Sequence, residues 1–133
     1  MAQLTFVPAT NYFGNFSLAR QASDGTVWSA MESITITVTP VNDIPTISDV
    51  NVSTDEEVTY TFARGNFTGN YTDVEDSALS AIRIISLPSA AHGVLKYNSS
   101  NVTVNQVIDS TNINLLTFVP TIDYNGNATF SRQ

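Results

Sequence analysis

Polar and apolar residues alternate with period two along most of this chain. In "SITITVTP", residues 33–40, Ile34, Ile36 and Val38 fall on one face and Thr35, Thr37 and Thr39 on the other, the pattern of a strand with one buried side. The same alternation predicts strands at 58–63 ("VTYTFA"), 81–87 ("AIRIISL"), 94–97 ("VLKY"), 102–108 ("VTVNQVI") and 115–120 ("LLTFVP"). No window carries a helical stripe. Short runs rich in Thr, Val, Ile and Tyr, broken about every ten residues by Gly, Asn, Asp and Pro, predict an all-β fold of the sandwich type. In such a sandwich Phe6, Val38, Tyr60, Phe62, Ile84, Leu95, Phe118 and Phe130 are expected to point inward, because their neighbours along each strand are polar.

The chain also repeats itself. "LTFVPATNYFGNFSLARQ" (4–21) and "LTFVPTIDYNGNATFSRQ" (116–133) align without a gap at an offset of 112, with ten of eighteen positions identical. Recurrence in register of this kind marks the same part of two successive structural repeats. Between the copies, "VTPVNDIPTI" (38–47) carries two prolines and reads as a stiff, extended linker. Residues 1–43 are thus expected to form the closing strands of one module plus the linker. Residues 44–133 are expected to form most of the next module, without its last hairpin. The missing piece corresponds to "ASDGTVWSAMESITITVTPVND" (22–43), which this chain carries only at its front. A sandwich without its final strand leaves an unpaired edge. Either a longer polypeptide continues beyond Gln133, or a second copy supplies residues 22–43 by strand addition.

The succession "ITITVTPVND", "P", "TDEE", "YTDVED", "SLPSAAHGVLKYN" and "LTFVPTIDYNGNATF" resembles the tandem cadherin-like, immunoglobulin-like repeats of large extracellular and surface proteins, the tandem-95 type, over nearly the whole chain. That resemblance implies immunoglobulin/cadherin-like β-sandwich modules cut out of register, an extracellular or cell-surface location, and a spacer or scaffold role. The repeat is longer than is usual for that family and richer in Asn-X-Ser/Thr triplets. In cadherins a linker of the Asn-Asp-X-Pro type and acidic residues of the neighbouring loops clamp calcium between modules. "VNDIP" resembles that linker in part, while the strict Asp-X-Asp and Asp-Arg-Glu motifs are missing.

Charge narrows the partners. Five basic residues against twelve acidic ones give a net charge of −7, which repels phosphate backbones and anionic lipid headgroups. Lys96 is the only lysine and the four arginines are scattered, so no basic patch for nucleic acid can be drawn. No apolar run approaches the roughly 18 residues of a membrane span, so no membrane insertion is expected of this segment. Cysteine is absent, which removes disulfides, thiolate nucleophiles and cysteine zinc sites together. The lone histidine, His92, sits in a turn entering a strand, and no spacing pairs a nucleophile with a base, so an enzyme is not expected. Trp28 is expected in the core or at a sheet edge.

Acidic residues cluster by position. Asn42 and Asp43 lie in the linker; Asp55, Glu56 and Glu57 precede a predicted strand; Asp73, Glu75 and Asp76 lie in the loop after it. Calcium takes six to eight oxygens, and Asp43, Asp55, Glu56, Asp73, Glu75 and Asp76 are its candidate ligands. A solvated acidic loop that keeps an edge soluble accounts for the same residues.

Asn-X-Ser/Thr triplets stand at Asn15, Asn51, Asn66, Asn70, Asn98, Asn101 and Asn127, seven of the thirteen asparagines. Chance at this Ser and Thr content gives about three, so N-linked glycans are the expected decoration. Asn15 and Asn127 are repeat-equivalent, so sugar would recur along an array. These features together favour a structural repeat of an extracellular glycosylated fibre or stalk whose partner is another copy of itself. The alternative is a ligand- or carbohydrate-binding module of a surface adhesin.

Overall fold

The structure, a computed structural model, describes residues 3–76 and 78–133. The chain forms two compact units, Met1–Asp43 and Ile44–Gln133.

In the first unit the Thr/Ile alternation becomes a hairpin. Strand β1 (Gly14–Arg20) pairs antiparallel with β2 (Glu32–Val38), in a register that runs from Gly14 opposite Val38 to Arg20 opposite Glu32. The connecting turn is organised by Asp24, whose Oδ1 accepts the N–H groups of Thr26 and Val27 at 2.8 and 3.0 Å, with Gly25 at φ +97°. The hairpin's apolar side is largely uncovered. Phe6 stacks on Phe16 at 4.7 Å between ring centroids yet stays 39% exposed, and Leu18 and Ile34 are as open. Phe6 therefore departs from the inward position its alternation predicts. Alternation decides which face is apolar, but burial needs a second layer, and two strands supply none.

The second unit holds the core. Its elements in chain order are β3 (Thr46–Ile47), β4 (Tyr60–Thr61), a single helical turn α1 (Gly65–Thr68), β5 (Tyr71–Thr72), β6 (Ala81–Arg83), β7 (Gly93–Tyr97), β8 (Ser100–Asn101) and β9 (Val107–Asp109). A 3-10 turn (Ser110–Leu115) then leads into β10 (Leu116–Pro120). The strands pair antiparallel throughout, as a sheet of order β4-β10-β7-β8 and as the pairs β3-β5 and β6-β9. The described chain is thus all-β apart from two short helical turns. Phe62, Phe67, Ile82, Ile84, Leu95, Ile108, Ile113 and Leu116 are buried together, with Tyr60, Phe118 and Phe130 packed against them. Six of the eight expected inward residues, Tyr60, Phe62, Ile84, Leu95, Phe118 and Phe130, belong to this cluster. Val38 is half-buried in the other unit.

Several strands are shorter than their alternation. The run 102–108 is cut by a turn in which Gln106 N–H donates to the Thr103 carbonyl at 3.1 Å, with Asn105 at φ +68°. Asn tolerates that left-handed backbone better than a β-branched residue such as Val104 does, so the turn falls here and β9 starts only at Val107. The run 81–87 is β6 extended by a bridge of Ile84 to Arg132 and by hydrogen bonds: Ile84 N–H donates to Gln106 O at 3.0 Å and Ile85 N–H to Ser131 O at 2.7 Å.

Candidate functional site

Residues 47–56 and 124–132 line a groove of about 1130 Å³ in the second unit, together with Tyr60, Phe62, Phe67 and Phe118. Residues 49–53 and 126–130, one stretch from each lining segment, take part in no strand or bridge. The groove therefore has an aromatic lining and two lengths of backbone that belong to no ladder, as at a sheet edge open to a further strand.

The 124–132 side is shaped by the internal repeat. Tyr124 N–H donates to Thr121 O at 3.1 Å, Asp123 stands at φ +57°, Gly126 at φ +144°, and the Tyr124 hydroxyl donates to the Asn127 carbonyl at 2.8 Å. The same turn occurs 112 residues earlier: Tyr12 N–H to Ala9 O at 3.1 Å, Asn11 at φ +59°, Gly14 at φ +125°, Tyr12 hydroxyl to Asn15 O at 3.0 Å. After this turn the two copies diverge. Gly14–Arg20 is a paired strand, whereas 126–130 lies outside any ladder and pairing begins only at Ser131: its carbonyl accepts the Ile85 and Ser86 N–H groups at 2.7 and 3.2 Å, its N–H donates to Ser86 Oγ at 2.8 Å, Arg132 bridges Ile84, and Gln133 and Arg83 exchange backbone bonds at 2.8 and 2.9 Å.

Arg132 marks that end. One guanidinium nitrogen donates to Ser48 O at 2.9 Å, and its carbon lies 4.9 Å from the centre of the Phe67 ring. Nη1 is buried with no hydrogen-bond partner among the described residues. Burial pulls the guanidinium below its ordinary range, while the charge of Asp49 pushes the other way. In the sequence Arg132 is one of four scattered arginines. The signal for it was the repeat itself, because Arg20 at the equivalent position faces Glu32.

The seven glycosylation-type asparagines fall into two groups. Asn15, Asn51, Asn98, Asn101 and Asn127 are exposed, and Asn66 and Asn70 are half-buried. Asn66 lies in α1, where its Oδ1 accepts the Ala63 N–H at 2.7 Å while Phe67 beside it is buried. Asn15 Oδ1 accepts the Thr37 hydroxyl at 2.9 Å, which leaves Nδ2 available.

The candidate calcium ligands divide between the two units. Asp43 belongs to the first unit and Asp55, Glu56, Asp73, Glu75 and Asp76 to the second. Asp73 Oδ1 accepts the N–H groups of Glu75 and Asp76 at 3.0 and 2.7 Å, an arrangement that organises the loop without an ion. Among the described residues no three carboxylates or imidazoles converge as a metal site. His92 lies in the turn before β7 and stacks on Tyr124 at 4.5 Å. Trp28 is 70% exposed and bridges Ser23 through its backbone in the loop between β1 and β2, so it lies outside the core. No helix among the described residues is long and apolar enough to cross a membrane.

Comparison of the chain with protein-family models, with curated proteins and with solved structures returns no match.

Proposed function

We propose that this chain is a structural repeat segment of an extracellular, glycosylated fibre or surface stalk, built from immunoglobulin/cadherin-like sandwich modules that join head to tail. The observation that carries the reading is the doubled turn: Tyr12–Asn15 and Tyr124–Asn127 share backbone and side-chain geometry, followed by a completed ladder in one copy and an open one in the other. An open edge beside a large groove is a liability in an isolated module. In an array the next segment covers it, and the burial then contributes to the strength of the joint. Five exposed acceptor asparagines would let sugar coat such an array without entering its core. Joining is either between copies or along one continuous polypeptide. Native material should run as an assembly or as one long chain of such repeats, and glycopeptide mapping should find Asn15 and Asn127 modified alike. A bare, monomeric protein would sink the proposal.

The alternative, a ligand- or carbohydrate-binding module of an adhesin, is favoured by the exposure of Trp28 in a stretch where Val27 and Met31 are exposed as well. Loss of sugar or receptor binding in Trp28→Ala, with assembly intact, would move the function there.

A further inference from the structure

We infer that residues 126–132, along the edge not bonded to residues 84–86, receive β2 of a second copy, in the register Val38 opposite Gly126, Ile36 opposite Ala128, Ile34 opposite Phe130 and Glu32 opposite Arg132. The inference rests on the module reading above and names the partner that fills its groove.

The register comes from the molecule's own hairpin. Gly14, Phe16, Leu18 and Arg20 face Val38, Ile36, Ile34 and Glu32 in the first unit, and the repeat offset of 112 converts those four acceptors into Gly126, Ala128, Phe130 and Arg132. Three independent features of the second unit agree with it. Ala128, Phe130 and Arg132 are half-buried while Asn127, Thr129 and Ser131 are exposed, so a strand added in this register turns Ile34 and Ile36 to the aromatic side and Thr35 and Thr37 outward. A shift by one residue would reverse every side chain. Glu32 arrives opposite Arg132, whose Nη1 is buried and lacks a partner. The groove beside the edge already spans the length of the strand, from Tyr124 to Arg132.

Exchange between copies is balanced in hydrogen bonds. The incoming β2 gives up its ladder with β1 and makes the same ladder with 126–132, so backbone pairing favours neither arrangement. Burial decides. Ile34 is 40% exposed on the first hairpin, whereas the groove offers Phe62, Phe118 and Phe130.

The chain has no cysteine, so single-cysteine full-length copies can report the register. Asn127→Cys is mixed under mild oxidation with Thr37→Cys, Thr35→Cys or Ser33→Cys, all at exposed positions. The 127–37 heterodimer is expected to form at least about tenfold faster than the other two, with the linked peptides identified by mass spectrometry. A labelled peptide of residues 29–41 is the second probe. It should bind the parent chain and lose at least about tenfold in affinity when Ile34 and Ile36 are both Asp. Equal rates at the three positions, or a preference for 33 or 35, overturn the register. Peptide binding without a heterodimer overturns the second copy as the occupant, and neither signal overturns the site. Failure of the fibre proposal is read separately, from the mass and glycosylation of native material.

Discussion

The Tyr124 hydroxyl donates to the Asn127 carbonyl oxygen at 2.8 Å and so closes a turn that places residues 126–132 along the groove. Tyr12 and Asn15 make the same bond at 3.0 Å. The two turns differ in what they support, since Tyr124 also stacks on His92 and is half-buried, while Tyr12 is exposed.

Tyr124→Phe should therefore lower stability by about 1 kcal/mol, the usual net worth of one hydrogen bond, and Tyr12→Phe by less. Urea unfolding of the two variants checks the order. Equal losses would mean that the second turn is no better supported than the first.

Leu4 and Leu116 begin the two copies of the repeat, but Leu4 is 87% exposed and Leu116 is fully buried. Leu116→Ala is expected to cost about 2–5 kcal/mol and Leu4→Ala no more than about 0.5 kcal/mol. The pair shows by denaturant midpoint that identical sequence carries different energy when its neighbours differ. A large loss at Leu4 would place a second core in the first unit.

Gly93 pairs with Pro120 across β7 and β10 at φ +155°, and a Cβ built there would meet the Phe118 ring and the Val119 carbonyl at 2.5 and 2.6 Å. Since one contact is backbone, relief requires the strands to part. Gly93→Ala should cost about 1–3 kcal/mol, read as a lower unfolding midpoint. An unchanged midpoint would contradict the strand spacing.

Asp24 gives the first hairpin a pH dependence. Its carboxyl is held below the ordinary value of 3.8 by the Val27 and Thr26 N–H groups. A depressed folded value means that the contribution is present above the unfolded value and fades as pH falls through the folded one. The turn should therefore loosen only below about pH 4. Asp24→Asn should flatten that acid limb in an amide-exchange or NMR titration, and a limb that persists in the variant would assign it to another carboxylate.

Much of the fold was legible because period-two alternation maps directly onto strands: "SITITVTP" became β2 and "LLTFVP" became β10. What alternation cannot show is where a second layer exists, and Phe6 stayed exposed for that reason. The helical turn at Gly65–Thr68 also escaped, because four residues are too few for a helical stripe to register. The groove is not written in local pattern; the repeat leads only to the expectation that residues 44–133 lack a last hairpin. The buried guanidinium of Arg132 at its end is a tertiary fact that no local pattern carries.

The claim that these residues form a sugar-coated, self-joining array is tested most directly by intact mass of native material before and after enzymatic removal of N-linked glycans. The expected result is a loss of several glycan masses, with Asn15 and Asn127 both among the occupied sites. The remaining mass should belong to an assembly of copies or to one long chain of such repeats. A single short chain whose mass does not change on treatment, with all seven triplets bare, would contradict it.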